Sequence, residues 1–224
     1  MRNAGSVPNL VRKLLPQSHG GGNRRAAEMT AVDDRPMTTG IVKFFEEFVF
    51  PEGFKVELLR GEIVMMAGPD VAHNDIVEAV VDQIPRSRWR RLQTQDIAIL
   101  EESSEPQPDL VVIERGAGPE HGRLMPSEVI TMLVEVVSKT SVDRDYGVKR
   151  SIYAAAKVPA YLIIDPVMGQ CVLLTEPTGR GEHADYRCQR LTKFGDITPL
   201  EPVGVELDTS EFAVYEKVRP HRYP

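Results

Sequence analysis

An α/β domain built on a mixed β-sheet is the fold this sequence predicts, and three observations carry the prediction. Strand-like runs at 55–59 and 62–66 flank Arg60-Gly61, a two-residue connection suited to a tight hairpin. Ile76, Val77, Val80 and Ile84 recur at helical spacing. Beyond them, apolar runs of strand length and helical stretches continue in turn, so the whole reads strands, helix, strands, helix, strands.

Order is expected from Ile41, with helical character over 41–49 that ends at Pro51-Glu52-Gly53. Ala67-Gly68-Pro69-Asp70 breaks the second strand and starts the helix that carries the apolar stripe; Pro85 ends it. His73 falls one turn ahead of Ile76 and Val77, on the same side. Arg86, Arg88, Arg90 and Arg91 around Trp89 read as a basic link, followed by strands at 94–100 and 109–113. A loop over 115–127 leads into 131–137, an apolar run interrupted only by Glu135. A helix is expected from Asp143 to Lys157, with Ser141 or Asp143 as its N-cap. Residues 160–164 and 171–175 read as a hairpin around Asp165-Pro166, and 185–212 as further strand with a closing turn. The layout is thus one domain over 41–215, between an N-terminal tail at 1–40 and a C-terminal tail at 216–224.

The N-terminal tail is read from Gly20-Gly21-Gly22, scattered prolines and the absence of periodicity. Met29 and Met37 leave a second explanation open, an extension upstream of a later natural start. In residues 1–28 five basic residues (Arg2, Arg12, Lys13, Arg24, Arg25) stand against Glu28, a surplus of four; a formal net charge of −6 then leaves −10 on the remainder. Such an acidic body argues against sequence-blind coating of nucleic acid but permits a local basic groove. With 224 residues the chain is long enough for one domain with a sizeable core. No apolar stretch reaches membrane-spanning length, and Cys171 and Cys188 cannot build a disulfide framework, so a cytoplasmic protein with reduced thiols is expected.

Chemistry is sought first at Glu135. A carboxylate inside a strand buried on both faces needs a partner, either a salt bridge or a bound cation. Asp109 opens another apolar run directly after Pro108, where it serves as a turn cap or as a second acid. If the two strands are neighbours, both carboxylates converge. Hard divalent cations favour that oxygen-rich, incomplete shell, which leaves places for water and phosphate.

At these residues the chain resembles a known family. Pro108-Asp109, then Leu133-Val134-Glu135-Val136-Val137-Ser138, then Asp145, Lys149 and Tyr153 at intervals of four, are similar to the Uma-type putative restriction endonucleases of the PD-(D/E)XK nuclease superfamily. Val56-Glu57-Leu58, Gly61-Glu62 and His73 extend the match upstream, and the stretch from Val158 to Pro166 extends it downstream. The resemblance implies a restriction-endonuclease-like core and Mg²⁺- (or Mn²⁺-) dependent hydrolysis of DNA phosphodiesters. It puts Asp109 in the place of the motif aspartate and Glu135 in that of the second acid. The superfamily's usual lysine lies two residues beyond that acid, where this chain has Val137. The resemblance assigns the lysine to Lys149 instead.

Around this set, Glu62 is expected to complete the metal shell or to be a solvated turn residue. His73 and Glu57 are expected as supporting residues, with capping or packing as the plain role for the histidine. Lys149 and Asp145 could equally be an exposed pair one turn apart, and Tyr153 reads as packing. Lys139 is expected to face solvent. The arginine run at 86–91 offers either a DNA-backbone patch or a solvated linker. The expected function is a metal-dependent endonuclease with DNA as partner and, by analogy, a homodimer. The alternative keeps the fold as an inactive DNA- or protein-binding module. A hydrolase using Ser138 and Lys139 is poor, because adjacent residues on an extended strand face opposite ways.

Overall fold

The structure, a computed structural model, describes residues 35–50 and 53–223. Most of the expected N-terminal tail lies outside the described residues. Helix α1 runs Arg35–Glu47, so helical order begins ahead of the expected boundary at Ile41. Pro36 sits in its first turn, where a missing N–H costs nothing and the fixed φ suits a helix.

Strands β1 (Phe54–Leu59) and β2 (Glu62–Ala67) form the expected antiparallel hairpin. Arg60 and Gly61 both take positive φ, 50° and 77°, which is the turn geometry that matches strand twist. Helix α2 (Val71–Gln83) starts at Asp70, whose carboxylate accepts the His73 backbone N–H at 3.0 Å. Next come β3 (Trp89–Gln93), the short β4 (Ile97–Ala98), β5 (Leu110–Glu114), the short β6 (Met125–Pro126) and β7 (Ile130–Val136). A π-helical turn, Arg144–Lys149, runs into α3 (Arg150–Ala155). The chain continues through β8 (Ala160–Asp165), β9 (Gln170–Thr178), β10 (Asp185–Lys193), β11 (Ile197–Leu200) and β12 (Val205–Asp208).

Six of these strands make the central sheet in the order β10-β9-β8-β7-β5-β3. Only β7 and β8 are parallel within it, and the π-helical turn with α3 is the crossover that a parallel pair requires. Side chains alternate between two apolar layers. Val111, Ile113, Leu133, Val137 and Ile163 pack with Ile152 and Tyr153 of α3. Leu110, Val112, Val134, Leu162 and Ile164 pack on the other side with Ile76, Val77 and Val80 of α2.

Four expectations need correction. Only half of the arginine run is a link: Arg86 and Arg88 lie in the turn after α2, whereas Arg90 and Arg91 belong to Trp89–Gln93, the edge strand β3, antiparallel to β5. Trp89 is buried and donates its indole N–H to Val203 O at 3.0 Å. Of the strand expected at 94–100 only Ile97–Ala98 is extended, paired with Met125–Pro126 outside the main sheet. The helix expected at 143–157 is shorter, and its first half is π-helical. The segment after 215 has no helix or strand, yet it is not a free tail. Tyr215 donates its N–H to Pro166 O, His221 Nε2 lies 2.6 Å from Asp165 Oδ2, and Tyr223 stacks on Tyr146 at 5.1 Å.

Candidate active site

The register of the central sheet sets the site. Leu110 of β5 faces Val134 of β7, and one further step in the same antiparallel register brings Asp109 opposite Glu135. Directly opposed residues of such a pair have Cβ atoms about 4.5–5.5 Å apart. Both side chains belong on the face of the sheet that α3 covers, and both line one cleft of about 440 Å³ together with Lys55, His73, Asp145 and Lys149.

Asp109 is held from three directions. Lys55 Nζ lies 3.1 Å from Oδ1, His73 Nε2 lies 3.0 Å from Oδ2, and the Val136 backbone N–H donates to Oδ2 at 2.8 Å. Burial alone would lift its pKa, but Lys55 and the His73 hydrogen bond outweigh burial and keep the carboxyl ionised, well below the ordinary range.

Lys149 comes from the last position of the π-helical turn, and only 2% of its surface is exposed. Its ammonium touches Glu135 Oε1 at 2.7 Å and Glu57 Oε1 at 2.9 Å, with Asp145 Oδ1 at 3.9 Å. Burial works against that charge; Glu135, Glu57 and Asp145 overcome it and raise the lysine well above its usual pKa. Tyr153, one turn further on, donates its hydroxyl to Glu135 Oε1 at 2.8 Å. Ser141 Oγ donates to Asp145 Oδ2 at 2.5 Å, and the Gln107 backbone N–H donates to Glu57 Oε1 at 2.7 Å.

Four carboxylates (Glu57, Asp109, Glu135, Asp145) thus crowd around two lysines. Fully ionised, they would carry two more negative charges than the lysines supply. Two acids register the imbalance. Burial pushes Glu135 up to about 8 against the pull of Lys149 and Lys55. It also lifts Asp145 to about 6 against the same Lys149 and the Ser141 hydrogen bond. Glu57 Oε2 and His73 Nδ1 are buried without a hydrogen-bond partner among the described residues.

The structure brings Asp109, Glu135, Lys149, His73 and Glu57 together, and leaves Glu62 apart. Glu62 is exposed at the start of β2 and lines a different groove, beside Arg60, Asp143 and Arg150. It pairs with Leu59 and so shares the hairpin face of Glu57 and Lys55, but it stands beside the turn, at the opposite end of that face from Lys55. Among the described residues, no three His, Cys, Asp or Glu side chains stand together at metal-ligating spacing. Lys149 and Asp145 are both buried, which removes the reading as an exposed pair. Val137, at the superfamily's usual lysine position, is sealed in the core beside Tyr153, and Lys149 reaches Glu135 from the helix side instead. Lys55 escaped the sequence reading, and Asp145, read there as part of the motif and as an exposed partner of Lys149, is instead a buried member of the cluster. A Lys55–Glu57 pair at strand spacing, and an acid one turn ahead of a lysine, were the available signals.

The arginine run takes part in the fold. Arg91 donates to the Val81 and Ile84 carbonyls at 2.8 Å, Arg90 to those of Ala117 and Pro119, and Arg88 lies over the Trp89 ring. No helix among the described residues is long and apolar enough to cross a membrane.

No curated protein matches the chain. A crystal structure of a putative nuclease belonging to DUF820 from Anabaena variabilis superposes with a TM-score of 0.57, over 76% of this chain and 96% of its own, at 12% identity. Identity that low speaks for the fold alone, and the fold is restriction-endonuclease-like. The family model for Uma2, described as "putative restriction endonuclease", matches residues 42–210, most of the described chain and every residue of the cluster above. The chain belongs to the Uma2 family.

Proposed function

We propose that this protein is a metal-dependent endonuclease that hydrolyses DNA phosphodiester bonds, with Asp109, Glu135 and Lys149 as its catalytic set. The observation that carries the reading is the convergence of two carboxylates from neighbouring strands and one buried lysine on a single cleft.

The donor set suits Mg²⁺ or Mn²⁺. Asp109 and Glu135 are hard oxygen ligands, and such a cation needs only one or two carboxylates because it keeps much of its water. The surplus of two negative charges equals one divalent charge. Asp109 and Glu135 would hold the ion, which when bound polarises the phosphate and makes a water a better nucleophile. His73 and the Val136 N–H fix the Asp109 carboxylate from behind. Lys149 stays protonated among its carboxylates, so it acts as a hydrogen-bond donor and a fixed positive charge rather than as a base. Water adds to phosphorus and releases its proton to solvent, the bond to the leaving oxygen breaks as that oxygen takes up a proton from solvent, and Lys149 offsets charge on the non-bridging oxygens. Cutting both strands fits a homodimer.

A nicking assay on supercoiled DNA tests the reading. Wild type is expected to cut with Mg²⁺ or Mn²⁺ and not with EDTA, and Asp109→Asn is expected to lose about a hundredfold or more in rate. Cutting that survives both Asp109→Asn and Glu135→Gln would end the assignment. Folded wild type that binds DNA but never cuts it would leave a binding module on a nuclease fold.

A further inference from the structure

Arg90 and Arg91 are committed to backbone carbonyls and none of the arginines at 86–91 lines the cleft, so other cations must meet the phosphate chain there. Two stand at the mouth of the cleft. Lys139 follows β7, the strand that carries Glu135, and it is exposed with its ammonium 5.1 Å from the centre of the Tyr215 ring. Arg144 opens the π-helical turn that ends in Lys149. Both line the cleft, with Ser138 and Thr140 between Glu135 and Arg144 along the chain.

Their pairing sets them apart from the other cleft cations. Lys55 sits on Asp109, and Lys149 is surrounded by three acids. Arg144 has no ion pair among the described residues. Its Nε is buried without a partner, and Nη2 touches only the Met66 thioether, a weak acceptor, at 2.9 Å. A guanidinium offers five donors in a planar fork that matches phosphate oxygens. Lys139 likewise has no carboxylate partner among the described residues. In a body carrying so many acids, two unneutralised cations flanking one cleft form a local field suited to a polyanion.

We propose that Lys139 and Arg144 bind DNA-backbone phosphates next to the one positioned for cleavage, and that they, rather than the arginines at 86–91, set the affinity for DNA. The inference rests on the nuclease reading, because it places the duplex over the Asp109–Glu135 cleft. Each contact to a phosphate releases about one counterion, so each should contribute about one to the slope of log affinity against log salt.

The test is binding without cleavage. Fluorescence anisotropy of a labelled duplex in EDTA, over a salt series, compares wild type with Lys139→Gln, Arg144→Gln, the double variant and Arg90→Gln. Each single cleft variant is expected to weaken binding about three- to tenfold at low salt and to lower the salt slope by about one, and the double variant by about two. Arg144→Lys should keep the slope, and Arg90→Gln should leave slope and affinity unchanged. A double variant that melts like wild type and binds with the wild-type affinity and slope overturns the proposal while leaving the nuclease reading in place. Wild type that binds no DNA overturns both.

Discussion

Glu135 and Asp165 stand at the same end of the neighbouring parallel strands β7 and β8, and both are almost entirely buried. Their surroundings differ in one decisive respect. Asp165 has a donor for every need, namely the Val167 and Met168 backbone N–H groups on Oδ1 and the Tyr146 hydroxyl and His221 on Oδ2. It has no part in the cleft. Glu135 shares its lysine with two other acids, borders open space and carries a raised pKa. Burial alone therefore does not mark a functional acid. A saturated carboxylate braces a fold, whereas one left in a surplus of negative charge is ready for a cation.

Exchanging each acid for its amide should separate the two roles most sharply. Glu135→Gln is expected to lower cleavage about a thousandfold while the metal-free protein melts within a few degrees of wild type. Asp165→Asn is expected to lose about 3 kcal/mol of stability, because charge-assisted bonds vanish and an amide group faces donors. Its cleavage below the new melting point should stay within a few-fold of wild type. Denaturant melts beside the nicking assay read both, and the reverse pattern would break the comparison.

A smaller effect is expected from pH. The groups facing Glu135 are Lys149 and Tyr153 from the helical segment, Lys55 and Glu57 from β1, Asp109 from β5, and Asp145. The lysines keep their charge across the neutral range. Folding lifts Glu135 from 4.5 to about 8, so between those values the native chain holds a proton that the unfolded chain has released. That contribution is fully present below the unfolded value and is lost as pH rises through about 8. The metal-free protein should therefore melt lower at pH 8.5 than at pH 6.5, and a saturating divalent cation should narrow the gap. A melting temperature that climbs with pH over this window would remove the surplus-charge argument.

The smallest effect is expected at Lys55, whose ammonium lies on the Asp109 oxygen that a metal would share. Removing a like charge beside a cation site should tighten Mn²⁺ binding about tenfold in Lys55→Met, read by calorimetry without DNA. Unchanged or weaker binding would mean that Lys55 does not oppose the ion.

The sequence made the hairpin, α2 and the buried strands legible, because hydrophobic period and turn chemistry are local properties. It hid β3, since an arginine-rich run reads as solvated unless one knows that the Val81, Ile84, Ala117 and Pro119 carbonyls wait beside it. Asp109, Glu135 and Lys149 were found through motif order, and the antiparallel register joins the two acids. Lys55 stayed out of view, and Asp145 was seen only as a motif residue and surface partner of Lys149, for a different reason. Neither the turning of an isolated hairpin toward the sheet nor the burial of a helix start is written in spacing. Glu62 went astray by a related route: it shares the hairpin face of Lys55 and Glu57, yet it stands at the turn end, and which end of that face meets the acids is not written in the sequence.

The final stretch of the chain bears on how this protein should be handled at the bench. Tyr223 and His221 press on Tyr146, which is flanked in sequence by Asp145 and lies three residues before Lys149. An expression fragment trimmed at residue 214 to remove apparent slack would strip the outer wall from the segment that aims the lysine. An affinity handle fused behind Tyr223 would pull on that wall.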